Sequence, residues 1–174
     1  MKRLFCLWLA MMLLLTACGN TADPPPIGNR VGDTCIGTTL TEIGPDGYTD
    51  HTFDPTQRGE ITVINFWAHW CPPCVQELPH FERVAAEMTD TVDVIAVHCD
   101  AADQAQAFIA ERYPESSIIF AMDAQNDPFV YYSALGGSGS IPYTLVLDAD
   151  GVIRHTFTGA IDYDTLLSAV NSCR

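Results

Sequence analysis

Lysine is almost missing from this chain: the one lysine among 174 residues is Lys2, and Lys and Arg together number 8 against 22 Asp and Glu. A surface so short of cations repels phosphate backbones and anionic lipid, which excludes nucleic acid as a partner. Long apolar runs are lacking too. The longest, residues 4–15, falls short of the roughly 20 residues that a membrane-spanning helix needs. No internal repeat is visible, and no low-complexity stretch beyond residues 19–33. A second C-x-x-C pair, which a four-cysteine zinc site would supply, is also absent. What is present in quantity is apolar and aromatic residue, 48% and 10%, more than a disordered chain carries. One folded domain with a short appendage is expected at this length.

The appendage is N-terminal. Lys2 and Arg3 precede the twelve apolar residues, the pattern of a cleavable signal peptide over residues 1–17. Leu15-Thr16-Ala17-Cys18 resembles the lipobox of bacterial lipoproteins, which implies a lipidated Cys18 as the first mature residue. Cleavage removes two bases and no acid, so the net charge falls from −14 to −16. Residues 18–33, with Pro24 to Pro26, Gly and Asn, read as an extended tether; about 15 residues at roughly 3 Å each reach about 45 Å.

Residues 34–174 alternate strand and helix. Residues 36–53 read as a hairpin about Pro45-Asp46-Gly47. Residues 61–67 (ITVINFW) are too continuously apolar for an exposed strand and should lie centrally in a sheet covered on both faces. Leu78, Phe81, Val84, Ala85 and Met88 recur at helical spacing. Further strands are expected at 91–97, 117–122, 143–147 and 152–157, and helices at 101–112, 127–135 and 162–172, the last capped by Asp162. The fold class is α/β.

Chemistry centres on Trp70-Cys71-Pro72-Pro73-Cys74. Two cysteines three apart at a strand-to-helix junction can close a disulfide, and the helix N-terminus stabilises the thiolate of the first. Cys71 is the expected nucleophile. Cys74, one turn on, would attack Cys71 and release the partner as a dithiol. His69, His80 and His98 with these cysteines could instead make a copper site. The run 136–140 (GGSGS) lacks the lysine of a phosphate loop and reads as a flexible approach to Pro142.

The segment 63–79, VINFWAHWCPPCVQELP, resembles the active-site segment of extracytoplasmic thioredoxins of the TlpA/ResA type, and IPYTLVLDADG at 141–151 resembles their second signature. That resemblance implies a thioredoxin fold with an N-terminal hairpin and a central αβ insertion. It implies a thiol–disulfide oxidoreductase, usually a reductase, anchored outside the membrane. Its only redox group would be the Cys71–Cys74 disulfide, with no metal or other cofactor. Pro142 matches the family's cis-proline facing the disulfide, with Trp70, Pro72, Pro73 and Ile141 flanking the pair. Pro79 matches a proline that kinks the active-site helix. Expected partners are a membrane electron donor of the DsbD/CcdA type and exported proteins, such as apocytochrome c or a methionine sulfoxide reductase, met by a monomer. A copper or haem-pathway metallochaperone is the alternative.

Two positions depart from thioredoxin itself. Asn65 stands where thioredoxin carries a buried aspartate, and an amide cannot take a proton from Cys74. Glu77, three residues after Cys74 on the same helix face, matches an acidic residue of TlpA/ResA-like proteins and could relay protons if buried. An exposed glutamate favouring the helix dipole is the other reading. Tyr143 replaces a common threonine after the cis-proline, which bears on the docking surface. Of the other cysteines, Cys35 and Cys173 flank the domain and are expected to form a structural bridge, with Cys99 a free packing thiol; a Cys35–Cys99 bridge, or three free thiols, are the alternatives.

Overall fold

The computed structural model describes residues 23–123 and 128–174. Cys18, the signal peptide and the first residues of the tether lie outside them. Nine strands and four helices occur among the described residues: β1 Ile27–Gly28, β2 Thr34–Cys35, β3 Leu40–Gly44, β4 Gly47–Phe53, β5 Ile61–Trp67, α1 Pro72–Glu87, β6 Val92–His98, α2 Ala102–Arg112, β7 Ile119–Met122, α3 Pro128–Ala134, β8 Tyr143–Leu147, β9 Ile153–Thr158 and α4 Tyr163–Asn171. Seven strands make one sheet in the order β4-β3-β7-β6-β5-β8-β9. Strands β5, β6 and β7 run parallel; β8, β9 and the hairpin β3–β4 join antiparallel.

The strand β5 is buried at all seven positions, as a continuous β-branched run in the middle of a covered sheet must be. Period-two alternation sorts its side chains. Ile61, Val63 and Trp67 face α1, α2 and α4 together with Val94, Phe120 and Val146. Ile64 and Phe66 face the other side, where Cys35, Leu40, Tyr131, Tyr132, Leu135 and Tyr143 form a second core. Helix α1 buries Leu78, Phe81, Val84 and Ala85 on its inner stripe and continues through Pro79. Asp162 caps α4 by accepting a bond from Thr165 N–H at 2.9 Å.

The N-terminal segment departs from the sequence expectation. Residues 27–33 belong to the folded body rather than to a tether: β1 pairs with β2, Thr34 N–H bonds the Pro26 carbonyl at 2.8 Å, and Gly32 N–H bonds the Ile153 carbonyl at 2.8 Å. Such two-residue pairings leave no hydrophobic period to read. The Cys35–Cys173 bridge is also corrected. Both are free thiols, Cys35 in the core on the α3 side and Cys173 against the core on the α1 side. Both flank the domain in sequence, but the sheet stands between them.

Candidate redox site

Antiparallel pairing builds the site. Phe66 of β5 lies opposite Tyr143 of β8, so the residues that follow β5 meet those that precede β8. The chain leaving β5 turns at Ala68 to Trp70 and enters α1 with Cys71 as its N-cap. Cys71 and Cys74 are joined by a disulfide, with Cα atoms 5.3 Å apart. The Cys74 N–H donates to the Cys71 sulfur at 3.4 Å. The first turn of α1, Pro-Pro-Cys-Val, holds no acid, so nothing there offsets the positive end of the helix dipole that favours a Cys71 thiolate.

From the other side, the Ile141–Pro142 peptide is cis, and the Ile141 carbonyl lies 3.7 Å from the Cys71 sulfur. Around the disulfide, Trp70, Pro72 and Pro73 are exposed and Ile141 is half-buried. The Trp70 indole N–H donates to the Asp100 carboxylate at 2.6 Å, which holds an exposed aromatic ring in place beside the pair. The apolar surface is therefore ordered before any partner arrives.

Behind the disulfide is a closed polar group. Asn65, Glu77 and Thr144 are buried. The Asn65 side-chain N–H₂ donates to Glu77 Oε1 at 2.8 Å and to Thr144 Oγ1 at 3.0 Å, and Ile161 N–H donates to Glu77 Oε2 at 2.9 Å. Glu77 is 1% exposed, so the reading of an exposed glutamate does not hold. Burial pushes its carboxyl up to about 7, with the bonds from Ile161 and Asn65 pulling part of the way back. A carboxyl poised near neutrality, one turn beyond Cys74, has the properties of a proton acceptor for a buried thiol.

Other sequence candidates fall elsewhere. Tyr143 points away from the disulfide into the second core, 6.3 Å from the Phe66 ring centroid, and donates its hydroxyl to the Leu135 carbonyl at 2.9 Å. Its departure from threonine therefore acts on the loop that leads to Pro142, through the Leu135 carbonyl. Trp67 is wholly buried against His98, Phe108 and Phe120. His69 and His98 approach to 3.3 Å, and burial pulls the His98 imidazole down to about 4. Among the described residues no three of His, Cys, Asp and Glu are grouped to hold a metal ion. Sequence reasoning missed Asp100, whose exposed carboxylate carries no periodic signal, and the tyrosine contacts of the 136–140 loop.

A family model described as Redoxin matches residues 31–170. The chain is 33% identical over 105 residues to the thiol:disulfide interchange protein DsbE of Allochromatium vinosum, over 60% of this chain and 54% of that protein. The match thus spans little more than half of that relative's length. It is 25% identical over 178 residues to the thiol-disulfide oxidoreductase ResA of Geobacillus thermodenitrificans, covering 99% and 97% of the two chains. A crystal structure of a thio-disulfide isomerase from Thermus thermophilus superposes with a TM-score of 0.66 at 24% identity, over 83% of this chain and 96% of that one. That likeness is one of fold, the thioredoxin fold.

Proposed function

The chain belongs to the Redoxin family and has the centre of a thiol–disulfide oxidoreductase, and from that premise we propose that it is a membrane-anchored reductase of exported proteins. In the reduced form the Cys71 thiolate attacks a sulfur of the partner's disulfide. A Cys71–partner bond forms and one partner thiolate leaves. The Cys74 thiolate then attacks the Cys71 sulfur, closing Cys71–Cys74 and releasing the second partner thiolate, so two electrons pass to the partner. Glu77 takes the Cys74 proton as that thiol becomes the nucleophile. A membrane donor dithiol of the DsbD/CcdA type reverses the exchange and reloads the pair. Partners include apocytochrome c or a methionine sulfoxide reductase.

The observation that carries this reading is the Cys71–Cys74 disulfide at the start of α1, bordered by exposed Trp70, Pro72 and Pro73 and backed by the buried Glu77 carboxyl near neutrality. The direction is tested by equilibrating the protein with dithiothreitol and glutathione buffers. A reduction potential below about −200 mV is expected, and one near the roughly −120 mV of strong oxidants would overturn the reductase role.

Lipidation at Cys18 supplies the anchor. Docking of residues 25–34 on the body leaves residues 19–24 between Cys18 and Pro25, a stretch that spans at most about 25 Å. The domain therefore works close to the bilayer, within reach of a membrane-embedded donor. The mature protein should stay with membranes through a salt wash, and Cys18→Ala should release it. An unmodified N-terminus at another residue, found by mass spectrometry, contradicts the anchor.

A further inference from the structure

Residues 136–140 hold three glycines and two serines, a composition that by itself leaves backbone loose. In the fold the segment is gripped. The Tyr132 hydroxyl donates to the Ser140 carbonyl at 2.8 Å and accepts from the Ser140 N–H at 2.8 Å, so one phenol holds both polar groups of a residue eight positions away. The Tyr132 ring is itself fixed, 2% exposed and edge-on to Phe66 at 5.5 Å and to Tyr143 at 5.9 Å. Gly137 lies against that ring so closely that a Cβ there would come within 2.3 Å of it. At the start of the loop, the Tyr143 hydroxyl secures the Leu135 carbonyl. The next two residues after Ser140 are Ile141, whose carbonyl stands 3.7 Å from the Cys71 sulfur, and the cis-proline.

We propose that Tyr132 is a positioning residue for partner docking: its hydroxyl fixes the Ser140 peptide, and through it the Ile141 carbonyl edge along which a disulfide-bearing peptide lies before Cys71 attacks. The inference rests on the reading of Cys71 as the exchanging sulfur. A hydroxyl is essential, because only a group that donates and accepts can satisfy both halves of the Ser140 backbone. The ring alone would pack as well without it. A small dithiol needs no such edge, since it reaches the disulfide without laying an extended chain beside it. A protein disulfide does need it, and the entropy of an unfixed loop would be charged against its binding.

The test compares wild type with Tyr132→Phe, which keeps the ring and removes both bonds, using insulin as the protein disulfide and dithiothreitol as the small dithiol. Loss of two neutral hydrogen bonds predicts a KM for insulin about tenfold higher, with kcat and the rate of reduction by dithiothreitol changed less than about twofold. An unchanged KM, or an equal loss in both reactions, overturns the proposal. Inertness of the wild type towards dithiothreitol overturns the redox reading beneath it. The wild type alone supplies a second measurement should the variant not fold. The Ser140 amide should exchange with solvent at least about tenfold more slowly than those of Ser138 and Gly139, and equal exchange at the three positions overturns the clamp.

Discussion

The Asn65 amide donates to the Glu77 carboxylate across 2.8 Å in a space closed to solvent. A neutral donor stabilises the carboxylate only in part, and burial outweighs it, so Glu77 is held near neutrality. The amide thereby sets the strength of the base as well as its place. An aspartate in its position would add a like charge, and a cation would remove the proton altogether.

Glu77→Gln should therefore slow the resolving step and erase a titration near pH 7 from its rate profile, measured by stopped-flow from a preformed mixed disulfide. The same residue leaves a mark on stability. A glutamate that titrates at 4.5 in the unfolded chain and at about 7 in the fold keeps, between those values, a proton that the unfolded chain has lost. Stability from this group accordingly falls as pH rises from 4.5 to 7, by up to about 3 kcal/mol, and stays lost above that. Urea titrations at pH 4.5 and 8.5 should show Glu77→Gln gaining on wild type at the higher pH; parallel curves would mean that Glu77 titrates as if exposed.

Asn65→Asp places a second carboxyl where the amide now donates at 2.8 Å. Two carboxyls at this distance cannot both ionise in a buried site, so the pair should take up a proton with an apparent pKa above that of Glu77 alone. The pH–rate profile should move to higher pH, and stability at pH 8 should fall further below that at pH 5 than in wild type.

Cys71 and Cys74 differ by their places in α1, one at the cap and one wholly enclosed. Cys71→Ser should abolish turnover with insulin. Cys74→Ser should instead accumulate mixed disulfides, visible as adducts on non-reducing gels. Retention of wild-type turnover by Cys71→Ser would move the nucleophile elsewhere.

In the folded, oxidised protein, iodoacetamide should label Cys173 and spare Cys35 and Cys99, which burial both encloses and pushes up to about 12. Peptide mapping without reduction should recover Cys71–Cys74 as a crosslinked pair and Cys35 and Cys173 as separate thiols. A Cys35–Cys173 crosslink would contradict their placement on opposite sides of the sheet.

Much of this was legible in the sequence. The strands Ile61–Trp67 and Tyr143–Leu147 match their apolar runs residue for residue, because a strand buried on both faces writes itself as continuous hydrophobicity. Asp162 announced the start of α4 by its capping chemistry. Cys71 and Cys74 followed from spacing and from the helix behind them, and the closeness of Pro142 from a resemblance. What stayed hidden has a common cause. The strands Ile27–Gly28 and Thr34–Cys35 are held by backbone bonds, which are blind to side-chain identity. Tyr132 acts on the backbone of Ser140, so neither residue type signals the other. Cys35 and Cys173 are near the ends of the domain, yet distance along the chain carries no information on which side of a sheet each falls.

The sheet also sorts the protein's sulfur. The working disulfide lies on one face, while Cys35 and Cys99 are sealed into the core of the other. Thiols that keep their protons up to about pH 12 offer almost no nucleophile at neutral pH, and a wall of strands bars them from exchange with the pair. The molecule is in this sense a carrier with a single berth and no hold. It holds one pair of electrons at a time and is spent after one exchange. Turnover then cannot exceed the rate at which that single pair is reduced again.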